Sequence, residues 1–108
     1  KSNLALAKIE GADFSTCGFA DSEKLKLGER IFLVGTLFGK TGFFKSVNEG
    51  IVKSFTGNSI RTNIIENYAL NGSPLFNIKG ELLGLNMIDS QGKVSAIPVA
   101  KIRAFVGL

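Results

Sequence analysis

The sequence predicts an all-β fold: a single small antiparallel β-barrel of about six strands with a short C-terminal helix. Three observations carry this reading. Apolar segments recur at short spacing, and most are too short for helices. Gly and Asn punctuate them at turn-like positions, as in Gly57-Asn58, Lys79-Gly80 and Ser90-Gln91-Gly92. Only the last stretch keeps a helical period. At 108 residues, the chain 1–108 reads as one domain.

The elements follow in order. Leu4-Ala5-Leu6-Ala7-Lys8-Ile9 is a strand candidate that runs toward Gly11, and Ser22 to Gly28 reads as a polar connector with one or two turns. Ile31 to Val34 is continuously apolar, the pattern of a strand covered on both faces. Gly35 to Phe44 is glycine-rich and fits neither period. Val47 to Phe55 and Ile60 to Asn63 flank Gly57-Asn58, a two-residue hairpin signal of the type that needs positive φ. Leu75 to Ile78 and Glu81 to Ile88 flank Lys79-Gly80 as a second hairpin, and Val94 to Ile97 is the last strand. Pro98 suits a first helical position, after which Val99, Ile102, Phe105 and Val106 share one face. Of nine Phe residues, Phe32, Phe55, Phe76 and Phe105 sit in apolar contexts and are assigned to the core. Phe38, Phe43 and Phe44 lie in the glycine-rich stretch and call for a contact role.

Composition removes several function classes. With no His, neither a Ser-His nor a Cys-His couple can be completed within this sequence. One Cys, Cys17, excludes an intrachain disulfide and a multi-Cys zinc site. No metal or cofactor is expected. No apolar run approaches the roughly 20 residues of a membrane span, and no signal peptide is visible. The sequence does not begin with Met and reads as part of something longer. The formal charge is +4, but the basic residues are spread along the chain, with no block denser than Lys24/Lys26/Arg30. Solvated surface charge is therefore favoured over a phosphate-binding face, and no nucleic-acid partner is expected.

From Asn3 onward the residues resemble the protease domain of HtrA-type serine proteases, and only the second barrel of that trypsin-like fold. Asn3-Leu4-Ala5-Leu6-Ala7-Lys8-Ile9 resembles the family's D-L-A-L-L-K-I, and Asp21 to Glu29 resembles its D-S-D-x-L-x-V-G-D/E connector. Gly35-Thr36-Leu37-Phe38-Gly39 is similar to G-N-P-F-G, Gly50-Ile51-Val52 to G-I-V, and Ile60-Arg61-Thr62-Asn63 to I-Q-T-D. Pro74-Leu75-Phe76-Asn77, Gly80 to Asn86 and Ala96-Ile97-Pro98 resemble P-L-V-N, G-E-V-I-G-I-N and F-A-I-P. These blocks occur in the family's order along most of the chain.

The chemistry is less well kept. The resemblance places the nucleophile at Asn71, in Leu70-Asn71-Gly72-Ser73-Pro74, and an amide nitrogen is not a usable acyl acceptor. It places the triad aspartate at Asn3, where an amide cannot balance an imidazolium. The triad histidine belongs to the first barrel. The oxyanion hole falls on the backbone N–H groups of Ala69 and Asn71, with Ala where the family has Gly. Ser73 is an alternative nucleophile, at the cost of breaking the kept Thr62–Pro74 spacing and of placing Pro74 next to it. Asn71-Gly72 also reads simply as a tight turn.

The resemblance thus implies a catalytically inactive lobe that acts as a peptide-binding or self-assembly module. It implies that an extended peptide adds alongside Met87, Ile88 and Asp89 by backbone hydrogen bonds. It further implies an apolar face where the second barrel packs on the first. A chain beginning at the connector position is expected to cover that face as a homodimer, with exchange of a terminal segment such as residues 1–9. The expected contacts are Leu4, Leu6, Phe38, Phe43, Phe44, Tyr68 and Leu70. Two rival readings stand beside this one. One is part of an active endopeptidase whose first barrel supplies the histidine. The other is a barrel binding single-stranded nucleic acid through Phe38, Phe43, Phe44, Lys40 and Lys45. Family resemblance implies a periplasmic or other extracytoplasmic setting.

Overall fold

Alternation along Ile31-Phe32-Leu33-Val34 turns Ile31 and Leu33 to one side, where both are wholly buried, and leaves Phe32 and Val34 half-buried. These residues belong to a computed structural model that describes Leu4 and residues 17–107. Six strands follow in order: β1 (Arg30–Gly39), β2 (Gly42–Phe55), β3 (Ile60–Ile65), β4 (Pro74–Asn77), β5 (Leu82–Ile88) and β6 (Lys93–Pro98). They close a barrel in the order β1-β2-β3-β6-β5-β4, with every neighbouring pair antiparallel. Helix α1 (Val99–Val106) follows β6 directly. The predicted barrel and terminal helix are therefore the observed fold.

The bore is filled by aliphatic side chains. Ile31, Leu33, Val52, Ile60, Ile64, Leu75, Leu83, Ile88, Val94 and Ala96 form the core, joined by Leu70 from the loop before β4. Register irregularities at Val52/Ser54, Arg61/Ile65 and Leu75/Phe76 bend the sheet on itself. At the β3–β6 irregularity, buried Thr62 bridges the disturbed ladder. Its hydroxyl donates to the Val94 carbonyl (2.7 Å) and accepts from the Ile64 N–H (3.1 Å).

The core expected from aromatic residues is not the core observed. Phe55 and Phe105 are exposed, and Phe32 and Phe76 are only half-buried. Phe32 and Phe76 stand opposite each other across β1 and β4. Phe32 has the parity opposite to Ile31 and Leu33, and so faces outward. A six-stranded barrel has a narrow bore, which Leu, Ile and Val fill without room for a ring.

The glycine-rich stretch is also not an irregular loop. β1 and β2 pair without interruption from Arg30↔Ile51 to Gly39↔Gly42, so Gly35 to Phe44 forms the outer part of one long hairpin. Lys40-Thr41 makes its turn, and Gly42 supplies the positive φ there (+119°). Gly57, by contrast, lies outside the positive-φ region. The β2–β3 turn is held instead by a Thr56 N–H to Ser59 carbonyl bond and by the Thr56 hydroxyl, which accepts from the Asn58 N–H. The Lys79-Gly80 turn is as expected, with Gly80 at φ +77°. Buried Asn77 organises it by accepting from the N–H groups of Lys79 and Glu81. Pro98 is the N-cap of α1 and not its first residue, and Gly107 ends the helix in the left-handed conformation. Of the strand candidate at Leu4–Ile9, all but Leu4 lies outside the described residues.

Replacing Leu33 by Ala is expected to lower stability by about 2–5 kcal/mol, because the wholly buried side chain leaves a cavity that the closed barrel cannot collapse. Urea denaturation measures this as a lower midpoint at unchanged slope.

Candidate functional site

The loop from Glu66 to Ser73 joins β3 to β4 and carries the position that the resemblance gives to the nucleophile. Tyr68–Leu70 is a single 3-10 turn. Asn67 caps it, its Oδ1 accepting from the Ala69 N–H at 2.8 Å. The turn closes when the Asn71 N–H donates to the Tyr68 carbonyl at 2.9 Å. The two N–H groups assigned by the resemblance to an oxyanion hole are therefore both engaged within the loop itself. An oxyanion hole needs such donors free and aimed at the reacting carbonyl oxygen.

Side chains then stitch this loop to β5. Asn71 Oδ1 accepts from the Ile88 N–H at 2.8 Å. Gly72, at φ +88°, donates to the Asn86 carbonyl at 2.7 Å. The Asn86 N–H donates to the Ser73 carbonyl at 2.7 Å. Wholly buried Asn86 also directs its Nδ2 at the Ser73 carbonyl (2.9 Å) and at Ser73 Oγ (3.2 Å). Ser73 Oγ thus accepts from an amide, which does nothing to raise its nucleophilicity. Asn71-Gly72 is the tight turn that the dipeptide allows.

Leu70 has no surface to offer a partner. It is buried against Gly35 of β1, where an added Cβ would stand 2.5 Å from Leu70 Cδ2. Its expected role in self-association is corrected to a core role: an apolar side chain in the middle of this turn anchors the loop to the barrel. A cleft of about 490 Å³ lies beside the loop, walled by Val34, Gly35, Thr36 and Lys45 on one side and by Ala69 to Pro74 on the other.

Only part of the peptide-docking segment faces an open edge. Because the Asn86 N–H points toward Ser73, alternation turns the backbone of Ile88 to the same side. Met87 lies opposite Ser95 in the β5–β6 ladder, and the Asp89 N–H donates to the Lys93 carbonyl. Ile88 is therefore the member of Met87, Ile88 and Asp89 with backbone groups at the edge, and its N–H is held by Asn71.

The other expected contacts are dispersed. Phe38 and Phe43 are 78 % and 70 % exposed, and their ring centroids stand 4.0 Å apart across the β1–β2 hairpin. Phe44 follows Phe43 directly and so occupies the opposite face of the ribbon, opposite Leu37, which packs toward the core. Tyr68 is exposed on the 3-10 turn. Leu4 is half-buried, while Asn3 and Leu6 lie outside the described residues. Sequence reading missed Asn67 and Asn86. The signal for Asn67 was present, since Asn two residues before an N–H it can cap is an Asx-turn pattern.

Replacing Asn71 by Ala removes the acceptor at Ile88 and is expected to cost about 0.5–1.5 kcal/mol. Amide-resolved hydrogen exchange should show selective loss of protection at Ile88; unchanged protection would mean that another acceptor holds that N–H.

Comparison with known proteins agrees with the barrel fold. Residues 1–85 match the trypsin-like peptidase domain. A probable periplasmic serine endoprotease DegP-like from Pseudomonas putida strain F1 is 39 % identical over 95 residues, covering 80 % of this chain and 19 % of the relative. Proteins of the same description from Ectopseudomonas mendocina and Hahella chejuensis are each 37 % identical, over 94 and 95 residues, again covering 80 % of this chain and 19 % of theirs. The chain spans about a fifth of the length of the curated relatives it matches. With a sequence match over most of its length, a similarity to DegP-like endoproteases and a closed six-stranded antiparallel barrel to accompany them, the chain belongs to the trypsin-like peptidase domain family.

Proposed function

We propose that this HtrA-like barrel is catalytically silent and works as a peptide-binding or self-assembly module. One observation carries the reading: the loop equivalent to the catalytic one is closed on itself. The N–H groups of Ala69 and Asn71 are engaged internally, and Asn71 presents an amide oxygen to Ile88. The sequence supports it with Asn3 at the aspartate position, Asn71 at the nucleophile position and no His. β5 has a strand edge at Ile88, where a peptide carbonyl would take over from the Asn71 amide as an extended peptide adds to the sheet.

Self-assembly draws on a separate observation. Phe38 and Phe43 form a tilted, exposed pair in contact near the end of a hairpin that reaches beyond the paired part of β4. Paired exposed rings supply the large apolar contact typical of an interface centre. A twofold contact between two such hairpins would cover them.

A fluorophosphonate probe is expected to leave the folded protein unlabelled, and Asn71→Ser is expected to stay unlabelled too, since a nucleophile without its base recovers little activity. Stoichiometric labelling of the parent at Ser73 would overturn the assignment of Asn71. Labelling of the Asn71→Ser variant would overturn the view that the loop cannot support acylation.

Light scattering at micromolar concentration is expected to give twice the 11.5 kDa chain mass. Phe38→Ser with Phe43→Ser should return the monomer. A parent mass of 11.5 kDa rejects self-association.

A further inference from the structure

Three basic residues far apart in sequence meet on one outer wall of the barrel. Arg61 on β3 stands opposite Ser95 on β6, and Ser95 stands opposite Met87 on β5. Cross-strand partners share a face, so Arg61, Ser95 and Met87 point the same way. Lys93 is two residues from Ser95 and joins that face, as Asp89 joins it from Met87. Lys53 lies at the β2 irregularity beside Ser54, the partner of Arg61. Together they line a groove of about 600 Å³, with Ile65 and Met87 as apolar parts of its wall.

The charge of this groove is unbalanced. Three cations face one carboxylate. Asp89 Oδ1 is already engaged, accepting from the N–H groups of Gln91 (2.8 Å) and Lys93 (2.9 Å) in the β5–β6 turn. The ion pair seen among the described residues is Arg30–Glu49, on another part of the barrel. Lys53, Arg61 and Lys93 therefore carry no acidic partner among the described residues. The groove also runs past Ile88, whose N–H is directed at a carbonyl-type acceptor, the Asn71 Oδ1.

We propose that this groove binds an extended acidic peptide, with carboxylates on alternate residues facing Arg61 and Lys93. The spacing fits. One strand separation and two residues of rise put the two cationic positions roughly 8 Å apart, against roughly 7 Å between alternate side chains of a strand. Ile65 and Met87 take apolar side chains between the acids, and a peptide carbonyl replaces the Asn71 amide at Ile88. A concave slot that ends beside the Asn71-capped edge of β5 fits one polypeptide strand better than a flat bilayer or a run of phosphates. This inference rests on the peptide-binding reading above and names the class of peptide.

The test uses fluorescence anisotropy of the whole chain with three labelled ten-residue peptides, identical and apolar except for two alternate positions bearing Glu, Gln or Lys. The Glu peptide is expected to bind about tenfold more tightly than the Gln peptide at low salt, and the gap to close as salt screens the charges. Arg61→Gln and Lys93→Gln should each remove most of that advantage, and Lys40→Gln on the hairpin turn should not. Asn71→Ala should tighten binding of the Glu and Gln peptides alike by freeing the Ile88 donor. Equal binding of all three peptides overturns the acidic preference and leaves peptide binding intact. No binding of any peptide, to the parent or to Asn71→Ala, overturns both. Tighter binding of a ten-nucleotide single strand that displaces the Glu peptide assigns the groove to nucleic acid and overturns the proposal.

Discussion

The closing seam between β1 and β4 is the constraint on which the rest of the molecule depends. It consists of three residue pairs, Ile31↔Asn77, Phe32↔Phe76 and Leu33↔Leu75. Ile31, Leu33 and Leu75 are wholly buried there. Without the seam, β1 and β4 would be the two free edges of an open sheet, each exposing a row of unpaired backbone groups. Closure also fixes the distance from β1 to the loop before β4, which is why Leu70 seats against Gly35 and why that position has no room for a side chain. The conformation of the candidate site is thus a consequence of barrel closure and not an independent feature.

Asparagine side chains carry a second level of order. Asn63 accepts from the Ile51 N–H across β2 and β3, Asn77 closes the β4–β5 turn, and Asn67 caps the 3-10 turn. Asn71 and Asn86 tie the loop to β5. Asn67, Asn71 and Asn77 supply side-chain acceptors to backbone N–H groups where the chain turns or the ladder ends, and Asn86 adds a second donor to the Ser73 carbonyl. Asn86 shows the cost of the device as well. Its Nδ2 is paired, but its buried Oδ1 has no partner among the described residues. The barrel thus keeps a polar group inside in order to hold Ser73 in place.

This use of amides bears on function. A catalytic loop of this family type works by keeping donors and a nucleophile unpaired until substrate arrives. Here the donors face the loop, and the amide at the nucleophile position faces a neighbouring strand. In the loop from Glu66 to Ser73 these few atoms are engaged in holding the chain together. What remains outward-facing is a pair of tilted Phe rings and a basic groove, the surfaces on which the proposed recognition rests.

The sequence by itself determined most strand segments, the turn at Gly80, the terminal helix and the family. Short apolar runs between Gly and Asn breaks constrain strands locally, and the ordered motif blocks are a property of the sequence alone. It also shows that no His is present and that the resemblance aligns Asn71 with the nucleophile position. The tertiary structure decided which apolar residues lie inside. Parity and bore width, and not hydrophobicity, put Leu33 in the core and Phe32 outside, while the seat against Gly35 buried Leu70. It turned the glycine-rich stretch into a hairpin, because a continuous ladder with β2 outweighs the weak strand propensity of Gly35 and Gly39. It alone brought Lys53, Arg61 and Lys93 into one groove, since only strand pairing across β2, β3 and β6 converts positions that are distant along the chain into neighbours on one face.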